Sequence, residues 1–109
     1  MDISIIIVHY DTKDLLETCI ESIFQHVVGI KYEIIVVDNN SPDRSCEILI
    51  DEYPSVKFFF MKENLGFGGA NNYGVYKSSG KYILLLNPDT LFRENSLETL
   101  MDFIEVNPK

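Results

Sequence analysis

Short apolar runs alternate along the chain with stretches in which apolar residues recur every three or four positions. Ile3 to Val8 is a nearly unbroken β-branched run. A strand apolar on both faces belongs in a sheet covered on both sides, as in parallel α/β proteins. It closes on His9-Tyr10-Asp11, and Thr12 is placed to cap a helix carrying Leu15, Leu16, Cys19, Ile20, Ile23 and Phe24 on one stripe, with Gly29 just beyond it. Glu33 leads into a second such run, Ile34 to Val37, which closes on Asp38-Asn39-Asn40.

Ser41-Pro42 reads as a cap followed by a first-turn proline, opening a helix with Cys46, Leu49, Ile50 and Tyr53 buried and Pro54 as its stop. Val56 to Met61 is the third strand. A glycine-rich loop, Lys62 to Gly74, then passes into a short helix ending at Ser78-Ser79, with Gly80 as its C-cap. Lys81 to Leu86 is the fourth strand, released into Asn87-Pro88-Asp89. Asn95 and Glu98 resemble a capping box for a last helix with Leu97, Leu100, Met101 and Ile104 on one side. Buried strands alternating with helices predict a Rossmann-like α/β three-layer sandwich, because right-handed crossovers leave few other solutions. The expected sheet is mostly parallel, with about four strands in the order 3-2-1-4.

Composition narrows the function. A chain of 109 residues with 46% hydrophobic positions is one domain or less. No apolar run approaches the ~20 residues a membrane span needs. Met1-Asp2 leads straight into a strand without the features of a signal peptide, so a cytoplasmic location is expected. The formal charge of -8 argues against nucleic acid, whose binding relies on Lys and Arg displacing counterions. With 9 basic residues scattered along the chain, a diphosphate ligand would call for a divalent cation. Cys19 and Cys46 fall in apolar stripes and suit core packing better than metal binding or a disulfide.

In open α/β sheets, ligands bind outside the carboxyl ends of the strands where strand order reverses. In the order 3-2-1-4 that point lies between strands one and four. His9-Tyr10-Asp11, Asp38-Asn39 and Asn87-Pro88-Asp89 therefore converge on one edge. Each residue also has a plainer reading. Asp38 suits a helix cap, Tyr10 can pack on the sheet edge, His9 can be a satisfied structural residue, and Asn-Pro-Asp-Thr is a turn signal. The Gly66-Phe67-Gly68-Gly69 stretch is no dinucleotide fingerprint, since Asn71 stands where the last glycine is needed and the loop follows the third strand. Its glycines allow close backbone approach to a ligand, or simply a flexible turn.

Ser4 to Tyr10, Glu33 to Ser41, Asn64-Leu65-Gly66 through Ala70-Asn71-Asn72-Tyr73-Gly74, and Gly80-Lys81-Tyr82 to Asp89 together resemble the first half of a glycosyltransferase family 2 enzyme with the GT-A fold. The likeness covers essentially all 109 residues, which implies that 1-109 is the nucleotide-sugar-binding half and that the acceptor half is absent. It implies nucleotide contacts from His9, Tyr10, Asp38, Asn39, Gly66, Phe67, Gly68, Asn71 and Asn87, and a ligand for Mg or Mn in Asp89, the last position of the DxD motif. This sequence departs from the common pattern at Asn87, in place of the first acid, at Asn39, where many members have Asp, and at Asn71, where others have Arg. The Asn-Pro-Asp form resembles the rhamnosyltransferase-like branch.

A UDP- or dTDP-sugar donor, a glycan or lipid-linked acceptor and inversion at the sugar carbon follow as expectations. The family's catalytic base lies in the later half, so no catalytic residue is expected here and the half should be inactive alone. The full-length enzyme would work in the cytoplasm, at the inner face of the membrane if membrane-associated. A receiver-type signalling module is the rival α/β reading, although the first strand leaves without paired acids. A non-catalytic interaction module is another, with apolar surface near the fourth strand favouring a homodimer.

Overall fold

The computed structural model describes residues 2–42 and 44–86. The elements run β1 (Ile3–His9), α1 (Lys13–His26), β2 (Tyr32–Asp38), α2 (Ser45–Glu52), β3 (Lys57–Phe60), α3 (Gly66–Lys77) and β4 (Tyr82–Leu86). The four strands form one sheet in the order β3-β2-β1-β4, every neighbouring pair parallel. The expected topology is therefore the one observed. Asn87, Asp89 and the helix expected after them lie outside the described residues.

Strand alternation explains why β1 and β2 are apolar on both faces. Ile3, Ile5, Ile7, Ile34 and Val36 point to one side, where α1 and α2 cover them with Leu16, Cys19, Ile20, Ile23, Cys46 and Leu49. Ile6, Val8, Ile35 and Val37 point to the other, against Ala70 of α3. The approach of α3 is close because Gly74 has no side chain: a Cβ there would come within 2.5 Å of Ile6 Cγ2. Both cysteines are buried and unlinked by a disulfide, in line with a packing role.

Several local expectations are corrected. Leu15 and Phe24 are exposed, so the buried stripe of α1 is narrower than its periodicity suggested, and Ile50 of α2 is exposed too. Ser41-Pro42 does not open α2. The helix begins at Ser45 behind Arg44, whose φ of 54° is left-handed, and has no side-chain cap. The Ser41 hydroxyl instead accepts a hydrogen bond from the Asp11 backbone N–H at 2.7 Å. The glycine stretch is the first turn of α3 rather than a loop before it, and α3 ends at Lys77 with Ser78, not Gly80, as its C-cap. Gly80 is needed for room: a Cβ there would meet the Ser4 backbone nitrogen at 2.4 Å.

The amino end of the sheet is fastened by one buried carboxylate. Glu33, the second residue of β2, lies opposite Ser4 of β1. Its Oε1 accepts from Lys57 Nζ at 2.7 Å, tying it to β3. Its Oε2 accepts from the Ser79 amide at 2.6 Å, from the Ser79 hydroxyl at 2.9 Å and from the Ser4 hydroxyl. The Ser4 oxygen in turn accepts from the Gly80 N–H at 2.7 Å, so this staple also fixes the entry to β4.

Candidate functional site

At the opposite, carboxyl end of the sheet the register sets His9 of β1 directly beside Asp38 of β2. Both are buried, His9 at 0% exposure and Asp38 at 6%. The His9 Nε2 lies 3.9 Å from Asp38 Oδ1, and its Nδ1 is 3.1 Å from the Thr12 hydroxyl. The backbone here is held on both sides. The Asn39 N–H donates to the His9 carbonyl and the Met61 N–H to the Asp38 carbonyl, each at 2.9 Å.

The chain leaves both strands in unusual conformations. Asp11 has φ 55° and Asn40 φ 63°, left-handed values that cost a non-glycine residue about 1 kcal/mol or more and collect at functional sites. They bring the two exits together. Besides receiving the Asp11 N–H, Ser41 donates its own N–H to Asp38 Oδ2 at 3.4 Å. An open cleft of about 430 Å³, lined by Asp11, Thr12, Lys13, Asp14 and Leu15, lies beside this edge.

The third component comes from α3. Asn39, 3% exposed, donates from Nδ2 to the Gly66 carbonyl at 3.1 Å and accepts at Oδ1 from the Leu65 N–H at 2.7 Å. Asn64 Oδ1 takes the Gly66 N–H at 2.7 Å. Gly66 itself has φ 75°, a conformation open to glycine at no steric cost. Of the residues anticipated from sequence, the structure thus gathers His9, Asp38 and Asn39 into a buried floor that reaches Gly66. Tyr10 and Phe67 are half exposed beside it and Gly68 is exposed, whereas Asn71 is buried within α3. Asn87 and Asp89 lie outside the described residues. Ser41, Thr12 and Asn64 were not singled out for the site. Only the parallel register, which sets the β1 and β2 exits side by side, could have signalled the Ser41 bridge.

For a cation, the described residues offer one group, His9, Asp38 and Cys46, whose ligand atoms lie within 4.8 Å of one another. A nitrogen, a sulfur and a single carboxylate do not suit Mg or Mn, which take oxygen ligands. The spacing also reaches beyond the roughly 3.5 Å between ligands about 2.1 Å from a tetrahedral ion. Among the described residues no helix is long and apolar enough to cross a membrane.

Known proteins resemble this chain in sequence and in fold. The chain is 33% identical over 108 residues to the minor teichoic acid biosynthesis protein GgaB of Bacillus subtilis (strain 168), covering 95% of this chain and 12% of that protein. It is 29% identical over 106 residues to glycosyltransferase GlyG of Streptococcus pneumoniae serotype 4, covering 94% of this chain and 35% of GlyG. It spans well under half the length of both relatives. In fold it is similar to S. aureus TarS 1-349 crystallised with UDP, with a TM-score of 0.83 at 21% identity over 97% of this chain and 32% of that one. The TarS 1-349 complex with UDP-GlcNAc superposes equally well, at a TM-score of 0.83. The sequence pattern of glycosyl transferase family 2 matches residues 4–109, and the chain belongs to that family.

Proposed function

We propose that the chain forms the donor-nucleotide half of an inverting glycosyltransferase, taking a UDP- or dTDP-sugar. The observation that carries this reading is the buried Asp38 carboxylate, braced by Ser41 and His9 at a parallel-sheet edge with the Tyr10 ring half exposed beside it. A carboxylate in that position is an acceptor for the N–H of a uracil or thymine ring, or for a ribose hydroxyl. An aromatic ring on the rim suits stacking on the base. The first turn of α3, with glycine at 66 and 68, lets backbone come close to the nucleotide. TarS has been crystallised with UDP and with UDP-GlcNAc on the same fold, which supports a uridine nucleotide here.

In this reading Asn87 serves as a nucleotide contact and Asp89 as the metal ligand, roles taken from the family resemblance. A divalent cation bound there would neutralise charge as the diphosphate departs. With Asn87 in place of an acid the pair offers one carboxylate, so the cation and the nucleotide should bind together. The acceptor hydroxyl, on a glycan or lipid-linked chain, would attack the sugar carbon in one displacement, using a base supplied outside this half.

Calorimetry tests the reading. UDP or dTDP is expected to bind the chain, with affinity rising about tenfold when Mn²⁺ is added, a coupling of about 1.4 kcal/mol. Absence of binding by both nucleotides with Mn²⁺ present contradicts it.

A further inference from the structure

We propose that Asn39 is the positioning residue of this site: its side-chain amide joins the carboxyl end of β2 to the start of α3 and so sets where the Gly66–Gly68 turn stands relative to Asp38. The proposal rests on the donor-nucleotide reading and adds to it a residue that acts through the turn rather than on the ligand.

The start of α3 has little to hold it in place by itself. Gly66, Gly68 and Gly69 fall within its first four positions, and glycine is among the weakest helix formers. Its N-cap is Leu65, which provides no side-chain cap. The Leu65 N–H is taken instead by Asn39 Oδ1 at 2.7 Å, across 26 positions of sequence. In a capping box a side chain of the helix's own first turn performs that task; here it comes from a neighbouring strand. The Asn39 Nδ2 then donates to the Gly66 carbonyl at 3.1 Å, so the two bonds fix both position and orientation.

The other end of this tie is rigid. Asn39 is 3% exposed, and its backbone N–H is held by the His9 carbonyl at 2.9 Å. It directly follows Asp38, so the residue that reads the base and the residue that places the turn share one peptide unit. The pair of bonds needs both a donor and an acceptor at this reach. An aspartate could accept from Leu65, but its second oxygen would face the Gly66 carbonyl.

The test combines UDP calorimetry with hydrogen exchange of the Leu65 amide in wild type, Asn39→Ala, Asn39→Asp and Tyr53→Phe. The last variant loses a remote hydrogen bond, Tyr53 to Glu21 at 2.7 Å, and serves as a control for stability loss. Asn39→Ala is expected to weaken UDP binding about tenfold and to speed exchange at Leu65, because both hydrogen bonds that hold the turn are removed. Asn39→Asp should keep the Leu65 amide protected yet still bind UDP more weakly, which separates placement of the turn from stability. Tyr53→Phe should leave affinity unchanged. Unchanged affinity in Asn39→Asp, or affinity lost equally in Tyr53→Phe, overturns the proposal; should Asn39→Ala fail to fold, Asn39→Asp alone decides. Failure of the wild type to bind UDP is a separate result that removes the donor-nucleotide reading and the proposal with it.

Discussion

Replacing Asp38 with alanine is expected to weaken UDP binding about 100-fold, because a hydrogen bond to a charged group is lost and the base N–H is left without a partner, together about 3 kcal/mol. The effect should appear in affinity rather than folding. Asp38 is buried, but the surrounding strand ends are also held by backbone bonds from Asn39 to His9 and from Met61 to Asp38, neither of which needs the carboxylate. Asp38→Asn is the sharper variant. It keeps the volume and one carbonyl acceptor, so it should bind UDP more tightly than Asp38→Ala and less tightly than wild type. Equal affinities for all three proteins would show that the base is read elsewhere.

The second large effect lies at the other end of the sheet. Burial alone would raise the Glu33 pKa, but hydrogen bonds from Lys57, Ser4 and the Ser79 amide and hydroxyl outweigh it and lower the value from 4.5 to about 2. A group whose pKa falls on folding contributes stability that is present above its unfolded value and is lost as pH drops through the folded one. The depression corresponds to about 3 kcal/mol, of the same order as breaking a buried charged network. Glu33→Ala should therefore lose about 3 kcal/mol at neutral pH. Urea unfolding of wild type should show stability falling between about pH 5 and pH 2, and Glu33→Gln should flatten that limb. Parallel acid limbs in the two proteins would assign the acid sensitivity to other carboxylates.

Much of this architecture could be read from the chain because it depends on strand alternation. Ile3 to Val8 and Ile34 to Val37 carry apolar residues on both faces, and only a sheet covered on both sides buries them. What escaped were the places where a polar side chain serves a distant element. Ser41 looks like a helix cap because caps are usually local, yet its hydroxyl is used by Asp11, 30 positions away. Gly66 to Gly69 looks like a loop because glycine disfavours helix, yet packing of Ala70 and Gly74 against Ile6 and its neighbours, with the Asn39 tie, overrides that preference. For the site, the convergence of His9 with Asp38 followed from strand order alone. The bracing of Asp38 by Ser41 did not, because it depends on left-handed backbone at Asp11 and Asn40, both of them non-glycine residues.

The central claim is that the carboxyl edge of this sheet receives a nucleotide, and titration of the isotopically labelled chain with UDP and Mn²⁺ tests it most directly through backbone amide chemical shifts. The account predicts perturbations concentrated at His9 to Thr12, Asp38 to Ser41 and Leu65 to Gly68, with Ser4, Glu33 and Ser79 at the amino end unmoved. Saturable shifts centred on the Glu33 staple, or no shifts at the three carboxyl-edge segments, would contradict it.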